Sequence, residues 1–261
     1  MKKKVIISII LVLFVSNCQK NHKKKINGKN YDLIWHEDFD KEINKNTWNL
    51  EVRDPGWVNN ELQAYTPRNE NLRIEKKHLV INSIKEDYKN AKYTSGRLNT
   101  QNKLNWEYGY FEIKAKFDLK QGTWPAIWLL SEKIASVGWP KCGEIDIMEH
   151  VNDEKKVYGS LHSERYNHML KNNLGNSFVL NELATEFNIY GLEWTKDFIR
   201  WYVNDELFYS VNKKDFFGEN WPYEGRYFLI INQAIGGDWP GDPLETFNSS
   251  KFLIDWIKVY K

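Results

Sequence analysis

YFEIKAKFDL, residues 110–119, alternates without a break. Phe111, Ile113, Ala115 and Phe117 fall on one side, and Glu112, Lys114, Lys116 and Asp118 on the other. A period of two is the mark of a strand with one buried face. The signal recurs on either side of this stretch. FIRWYVNDELFYSV (198–211) sets two aromatic and β-branched arms about Asn204-Asp205, a pair that tolerates positive φ, and so predicts a hairpin. RYFLIINQAI (226–235) is almost continuously apolar, as a core strand should be, and FLIDWIKVY (252–260) supplies a further strand. Helical periodicity is slight, with one turn expected near 181–184. Many short strands, no internal repeat and no dividing linker predict one all-β body, built as a two-sheet sandwich or jelly roll.

Composition agrees. A chain of 261 residues is long enough for a full core. Aromatic residues at 15% suit a strand-rich fold or a binding surface of flat rings. Two cysteines exclude a disulfide-dense scaffold and a four-cysteine metal site. The formal net charge of +2 conceals an asymmetry: residues 1–29 carry eight lysines and no acid, so residues 30–261 are net acidic. A net-acidic body argues against a nucleic-acid partner.

The basic residues belong to a leader. Lys2, Lys3 and Lys4 precede VIISIILVLFV (5–15), a positive segment followed by a short apolar one, which reads as an export signal. The apolar run is too short to span a bilayer comfortably. It ends close to Cys18, and this resembles the lipobox of bacterial lipoproteins, in which the cysteine is lipidated and becomes the first residue. Asn17 is an unusual neighbour for such a cleavage, and an ordinary signal peptide or an uncleaved anchor is the alternative; all three export the chain. Residues 1–18 are therefore expected as signal, 19–30 as a polar tether and 31–261 as the folded domain. Membrane contact is expected through lipid on Cys18 alone.

The chemistry concentrates in GEIDIME, residues 143–149. Glu144 and Asp146 share a strand face, and Ile145 and Ile147 point into the core. Strict alternation sends Glu149 to the wrong face; one extra residue at Met148, a β-bulge, turns it back beside the other two. Three neighbouring carboxylates repel, and at least one acquires a raised pKa. A retaining glycosidase needs this arrangement, with one carboxylate ionised as nucleophile and another protonated as general acid. A solvated acidic strand or a Ca²⁺ site is the alternative, although a hard-cation site usually comes from a loop rich in Asp, Asn and Gly. Trp124, Trp128 and Trp139 lie within twenty residues of Glu144, placed either to stack on sugar rings or to fill the core. His162, in GSLHS, either faces the same cleft from the next strand or is structural.

At these residues the sequence resembles the bacterial endo-β-1,3-glucanases (laminarinases) of glycoside hydrolase family 16. The resemblance covers residues 31–261 and rests on NNELQAYT (59–66), YTSGRLNT (93–100), YGYFEIKAK (108–116), GTWPAIWLL (122–130), WPKCGEIDIMEH (139–150), YGSLHS (158–163), RWYVNDELFYS (200–210), NQAIGGDWPG (232–241) and FLIDWIKVY (252–260). It implies a β-jelly roll of two curved antiparallel sheets with a cleft across the concave face. By the motif, Glu144 corresponds to the nucleophile, Asp146 to its assistant and Glu149 to the acid/base. Trp124 and Trp128 resemble cleft-lining residues, and Trp139 a stacking platform on the non-reducing side. Asn59, Glu61 and Arg97 correspond to polar lining, and His162 to a histidine on the leaving-group side. Relatives also imply a structural Ca²⁺ remote from the chemistry, here expected at Glu37 or Asp38 together with Asp255, and no cofactor for catalysis. Within the family the bulged ExDxxE form and NQAIGGDWPG resemble the laminarinase branch, and the acidic body favours a neutral glucan. A monomer acting on β-1,3-glucan, and also on mixed-linkage glucan, is expected. The alternatives are an agarase- or carrageenase-type galactan hydrolase and a glycan-binding lipoprotein without turnover.

Overall fold

The computed structural model describes residues 23–181, 183, 185–218 and 220–261. The expected signal segment 1–18, with Cys18, lies outside the described residues. The strands, in chain order, begin with β1 (Lys23–Ile26), β2 (Lys29–Glu37), β3 (Asn49–Leu50), β4 (Gln63–Tyr65), β5 (Leu72–Glu75) and β6 (His78–Tyr88). There follow β7 (Ala91–Ser95), β8 (Arg97–Asn99), β9 (Gly109–Phe117), β10 (Thr123–Ser131), β11 (Glu144–Glu149) and β12 (Lys156–His162). The last are β13 (Leu174–Val179), β14 (Asn188–Trp194), β15 (Phe198–Val203), β16 (Glu206–Asn212), β17 (Tyr227–Ile235) and β18 (Ser249–Tyr260). Among the described residues the one α-helix is Ile134–Val137, and Asn181 and Leu183 lie in turns.

Two sheets form the sandwich. One follows the order β16-β15-β14-β9-β18-β6-β7-β4, with β1, β2 and β5 attached; the other follows β13-β12-β11-β10-β17-β8-β3. Pairing is antiparallel except between β4 and β7, which run parallel, a departure from the wholly antiparallel expectation. The all-β jelly-roll sandwich expected from the sequence is present. Phe111, Ile113, Ala115 and Phe117 are all buried in the layer between the sheets, with Ile127, Leu129, Ile145, Leu229 and Ile231 from the opposite side. The β15–β16 hairpin turns at Asn204 (φ 50°) and Asp205 (φ 67°), the two positive values its two-residue loop demands.

The tether is corrected in part. Lys23–Ile26 pairs with β2 through Ile26↔Lys29, so residues 23–30 form a hairpin lying on the sheet rather than a free linker. Packing and charge both hold it: Ile26 and Tyr31 are buried with Tyr110, Tyr202 and Tyr260. Glu112 and Glu193, on the outer face of β9 and β14, are buried. The Lys24 ammonium lies 2.7 Å from the Glu112 carboxylate, and the Tyr31 hydroxyl donates to Glu193 at 2.6 Å. Two carboxylates covered by protein need these partners.

Candidate active site

The acids occupy the face of the seven-stranded sheet away from the core. Regular pleating carries Glu144 and Asp146 there, and a bulge carries Glu149. Against β12, Asp146 stands opposite Ser160 and Glu149 opposite Tyr158, three steps along one strand against two along the other. Against β10, Asp146 faces Trp128 and Met148 faces Ile127, so the extra residue is Ile147 and not Met148. Ile147 and Met148 are both buried, consecutive residues turned into one core, which is how the bulge restores Glu149 to the cleft side.

Each acid has its own donors. The Trp139 indole donates to Glu144 Oε2 at 3.2 Å, and the Trp124 indole to Glu149 Oε1 at 3.0 Å. His162 Nε2 lies 3.2 Å from Asp146 Oδ2 and 3.7 Å from Glu144 Oε1. Ser160 also hydrogen bonds Glu149. Burial, first of all, pushes the carboxyls of Glu144, Asp146 and Glu149 up to about 8. Repulsion from Asp146 adds to the rise at both glutamates, while His162 and the indole donors oppose it. Water removal disfavours the charged form of each, and close like charges disfavour ionising all three together.

The tryptophans are not simply core residues. Trp124 and Trp128 are half-buried on the cleft side of β10, and each spends its indole N–H inside the site, Trp128 on Asn232 Oδ1 at 2.8 Å. Trp139 precedes β11 and packs against His168, ring centroids 4.9 Å apart. Glu144, Asp146 and His162 alone among the described residues gather as a group of potential metal ligands.

A second polar cluster lies beyond Trp128, drawn from β8 and β17 of this sheet and from β4 of the other with the loop before it. Arg97 is ion-paired with Glu51, and its guanidinium lies 4.9 Å from the Trp128 ring and 5.2 Å from the ring of Trp57. Glu61 is buried and accepts from Gln63 at 2.8 Å and Tyr65 at 3.0 Å; burial raises its carboxyl above the usual range. Asn59 reaches Glu61 at 3.4 Å, and its carbonyl accepts the Asp238 N–H at 2.9 Å, anchoring the loop that carries Trp239. The sequence reading missed Glu51, Trp57, Gln63, Tyr65, Asn232 and Trp239. Trp239 packs edge-on against Trp124 at 5.2 Å and stands 41% exposed, and its signal was present within NQAIGGDWPG.

The residues expected to hold Ca²⁺ do not fit that role. Asp255 sits at a bulge in β18, and its carboxylate is 2.9 Å from the Lys114 ammonium, with His78 at 3.6 Å. Glu37 accepts from the Trp48 indole at 3.2 Å and from the Phe39 N–H at 3.3 Å, while Asp38 lies beside His36. A cation cage needs several uncommitted oxygens; these carboxylates already have partners, and among the described residues they form no group of three potential ligands.

Comparison with known proteins adds the family. The model for glycosyl hydrolases family 16 matches residues 27–258. A β-glucanase of Rhodothermus marinus is 39% identical over 246 residues, covering 88% of this chain and 85% of its own. The laminarinase catalytic domain of Thermotoga maritima superposes with a TM-score of 0.84 at 38% identity, covering 88% of this chain and 98% of that one. The endo-β-1,3-glucanase of Pyrococcus furiosus gives 0.87 at 33% identity, over 92% of this chain and 97% of its own. With the three acids brought onto one sheet face of a jelly roll and the match running through nearly the whole described body, the chain belongs to glycosyl hydrolases family 16.

Proposed function

We propose that this enzyme cleaves internal β-1,3-glucosidic bonds of laminarin-type glucan with retention of configuration, using Glu144 as nucleophile, Asp146 as its charge-sharing neighbour and Glu149 as acid/base. The carrying observation is the asymmetry of donors around the acids. His162 Nε2 lies within 4 Å of carboxylate oxygens of both Glu144 and Asp146. Glu149 is held by the neutral donors Trp124 and Ser160. Negative charge is therefore favoured at the Glu144–Asp146 end and the proton at Glu149. In the first step Glu144 attacks the anomeric carbon as the glycosidic bond breaks, and the Glu149 proton passes to the leaving oxygen. In the second, Glu149 takes a proton from water, which displaces Glu144.

Glucan as substrate is supported by the net-acidic body, which offers little to a sulfated galactan, and by the β-1,3-glucanases named above. Mixed-linkage glucan is expected as a second substrate. Trp124, Trp128, Trp139 and the Arg97–Glu61–Asn59 cluster are assigned to binding. The test is incubation with laminarin, barley mixed-linkage glucan, agarose and κ-carrageenan. Oligosaccharides of mixed length should appear early from laminarin, with the β-anomer formed first by proton NMR. Faster cleavage of either galactan, binding without reducing-end release, or a first-formed α-anomer would overturn the assignment. Export with lipid attachment at Cys18 belongs to the same proposal and rests on the lysines and apolar run before that cysteine. Radiolabelled palmitate incorporated by the full chain and lost in Cys18→Ser tests it.

A further inference from the structure

We propose that Trp201, a residue of the opposite sheet that never meets substrate, is a positioning residue that holds Glu149 in the cleft. The proposal rests on the reading of Glu149 as acid/base. Trp201 lies on β15, fully buried, and its indole N–H crosses the sandwich to donate to the main-chain carbonyl of Asp146 at 2.7 Å. That carbonyl stands where the ladder is broken on both sides, since β11 slips register against β10 and against β12 immediately after Asp146.

Two further features serve this contact. Gly159, on β12, has the indole directly over its Cα: a Cβ there would lie 2.5 Å from Trp201 Cδ1 and 2.8 Å from Nε1. The strand next to the bulge therefore keeps a bare backbone where the ring must pass. Trp201 is itself at an irregularity, with the β15–β16 register shifting between Trp201 and Tyr202, and the Tyr209 ring backs it at 5.1 Å. One bulge thus aims a donor at the other.

The consequence follows from register. A strand that slips by one residue exchanges its faces. Without the bulge Glu149 would turn toward the core, and with it Glu149 joins Glu144 and Asp146. A buried carbonyl left without a donor is costly, so the indole favours the bulged register at the residue where it begins. Proton transfer to the leaving group needs the carboxyl within hydrogen-bond reach of that oxygen, so loosening the bulge should weaken this step above others.

The experiment compares kcat/KM on laminarin with kcat/KM on 2,4-dinitrophenyl β-laminaribioside, whose leaving group departs without a proton. Trp201→Phe removes the N–H. If that variant does not fold, 3-benzothienylalanine at position 201 replaces N–H by sulfur in nearly the same shape. We expect a loss of about 100-fold on laminarin, the scale of a small misplacement at a reacting group, and near wild-type kcat/KM on the dinitrophenyl substrate. Gly159→Ala should show the same selectivity by displacing the indole. Equal losses on both substrates, or no loss on laminarin, would overturn the role, because a merely structural residue has no reason to distinguish leaving groups. Glu149→Ala is the control for the underlying reading: if it too lost activity equally on both, the acid/base assignment would fail, independently of Trp201.

Discussion

Glu149→Gln should make the protein more stable, and more so as pH rises. The carboxyl of Glu149 is raised by burial and by Asp146 from the ordinary 4.5 to about 8. A carboxyl whose pKa is higher folded than unfolded favours the fold most below its unfolded value and loses that contribution as pH climbs toward the folded one. Between about 4.5 and 8 the wild type is therefore progressively destabilised. At about 1.4 kcal/mol per pH unit the ceiling for a group titrating alone is about 5 kcal/mol. The three acids share the penalty and water relieves part of it, so we take about 2 kcal/mol at pH 8 as the expected gain. For a chain of this size that is a rise in Tm of about 4–8 °C. Glutamine keeps an oxygen for the Trp124 indole, so the contact at Oε1 survives. The assay is calorimetric or fluorescence melting of both proteins at pH 5 and pH 8. At pH 5 most of the difference should be gone, and turnover of laminarin should be nearly abolished at either pH. A difference independent of pH, or a variant less stable at pH 8, would refute the electrostatic account of the cluster.

Azide separates the two glutamates: with Glu149→Ala it should attack the glycosyl-enzyme and give a β-glycosyl azide, and with Glu144→Ala it should enter from the nucleophile's side and give the α-azide. Proton NMR distinguishes the products, and the reverse outcome would exchange the roles. Glu51→Gln removes the partner charge of Arg97, whose side chain is 7% exposed, and should cost about 3 kcal/mol in urea unfolding, the scale for stranding a buried charge; a loss near zero would mean that Arg97 finds water instead. Chelation of divalent cations should leave Tm unchanged, because Asp255 already has Lys114 as its counter-ion; a marked fall reversed by Ca²⁺ would show that the carboxylates rearrange to hold the ion.

The features legible in the sequence were those decided locally. Phe111, Ile113, Ala115 and Phe117 announce a strand because one face meets the core and the other does not, and this is written into consecutive residues. Asn204-Asp205 announces its turn because few residue pairs adopt two positive φ values at little cost. The three acids could be grouped because a bulge is the cheapest way to bring Glu149 to the face of Glu144. Which residue bulges was not legible: Ile147 and Met148 are both apolar and both buried, and only pairing with Ile127 and Trp128 distinguishes them.

What remained hidden depends on partners distant in sequence. Lys23, Lys24 and Lys25 read as tether because the charge that fixes Lys24 belongs to Glu112, on a strand whose outer side looked solvated until the hairpin covered it. Asp255 read as a metal ligand because the resemblance implies a Ca²⁺ near the last strand; its partner is instead Lys114, on the adjacent strand opposite Trp256. Asn232 passed unnoticed as one polar residue in an apolar run, yet it links Trp128, Arg97 and Tyr65. Trp201 likewise looked like core, and by burial it is core. The chemistry of its single polar atom appears only when the second sheet is laid over the first and the indole N–H meets the carbonyl of Asp146. The acids are thus grouped by their own strand, while the register that turns the last of them into the cleft is held from the far side of the sandwich.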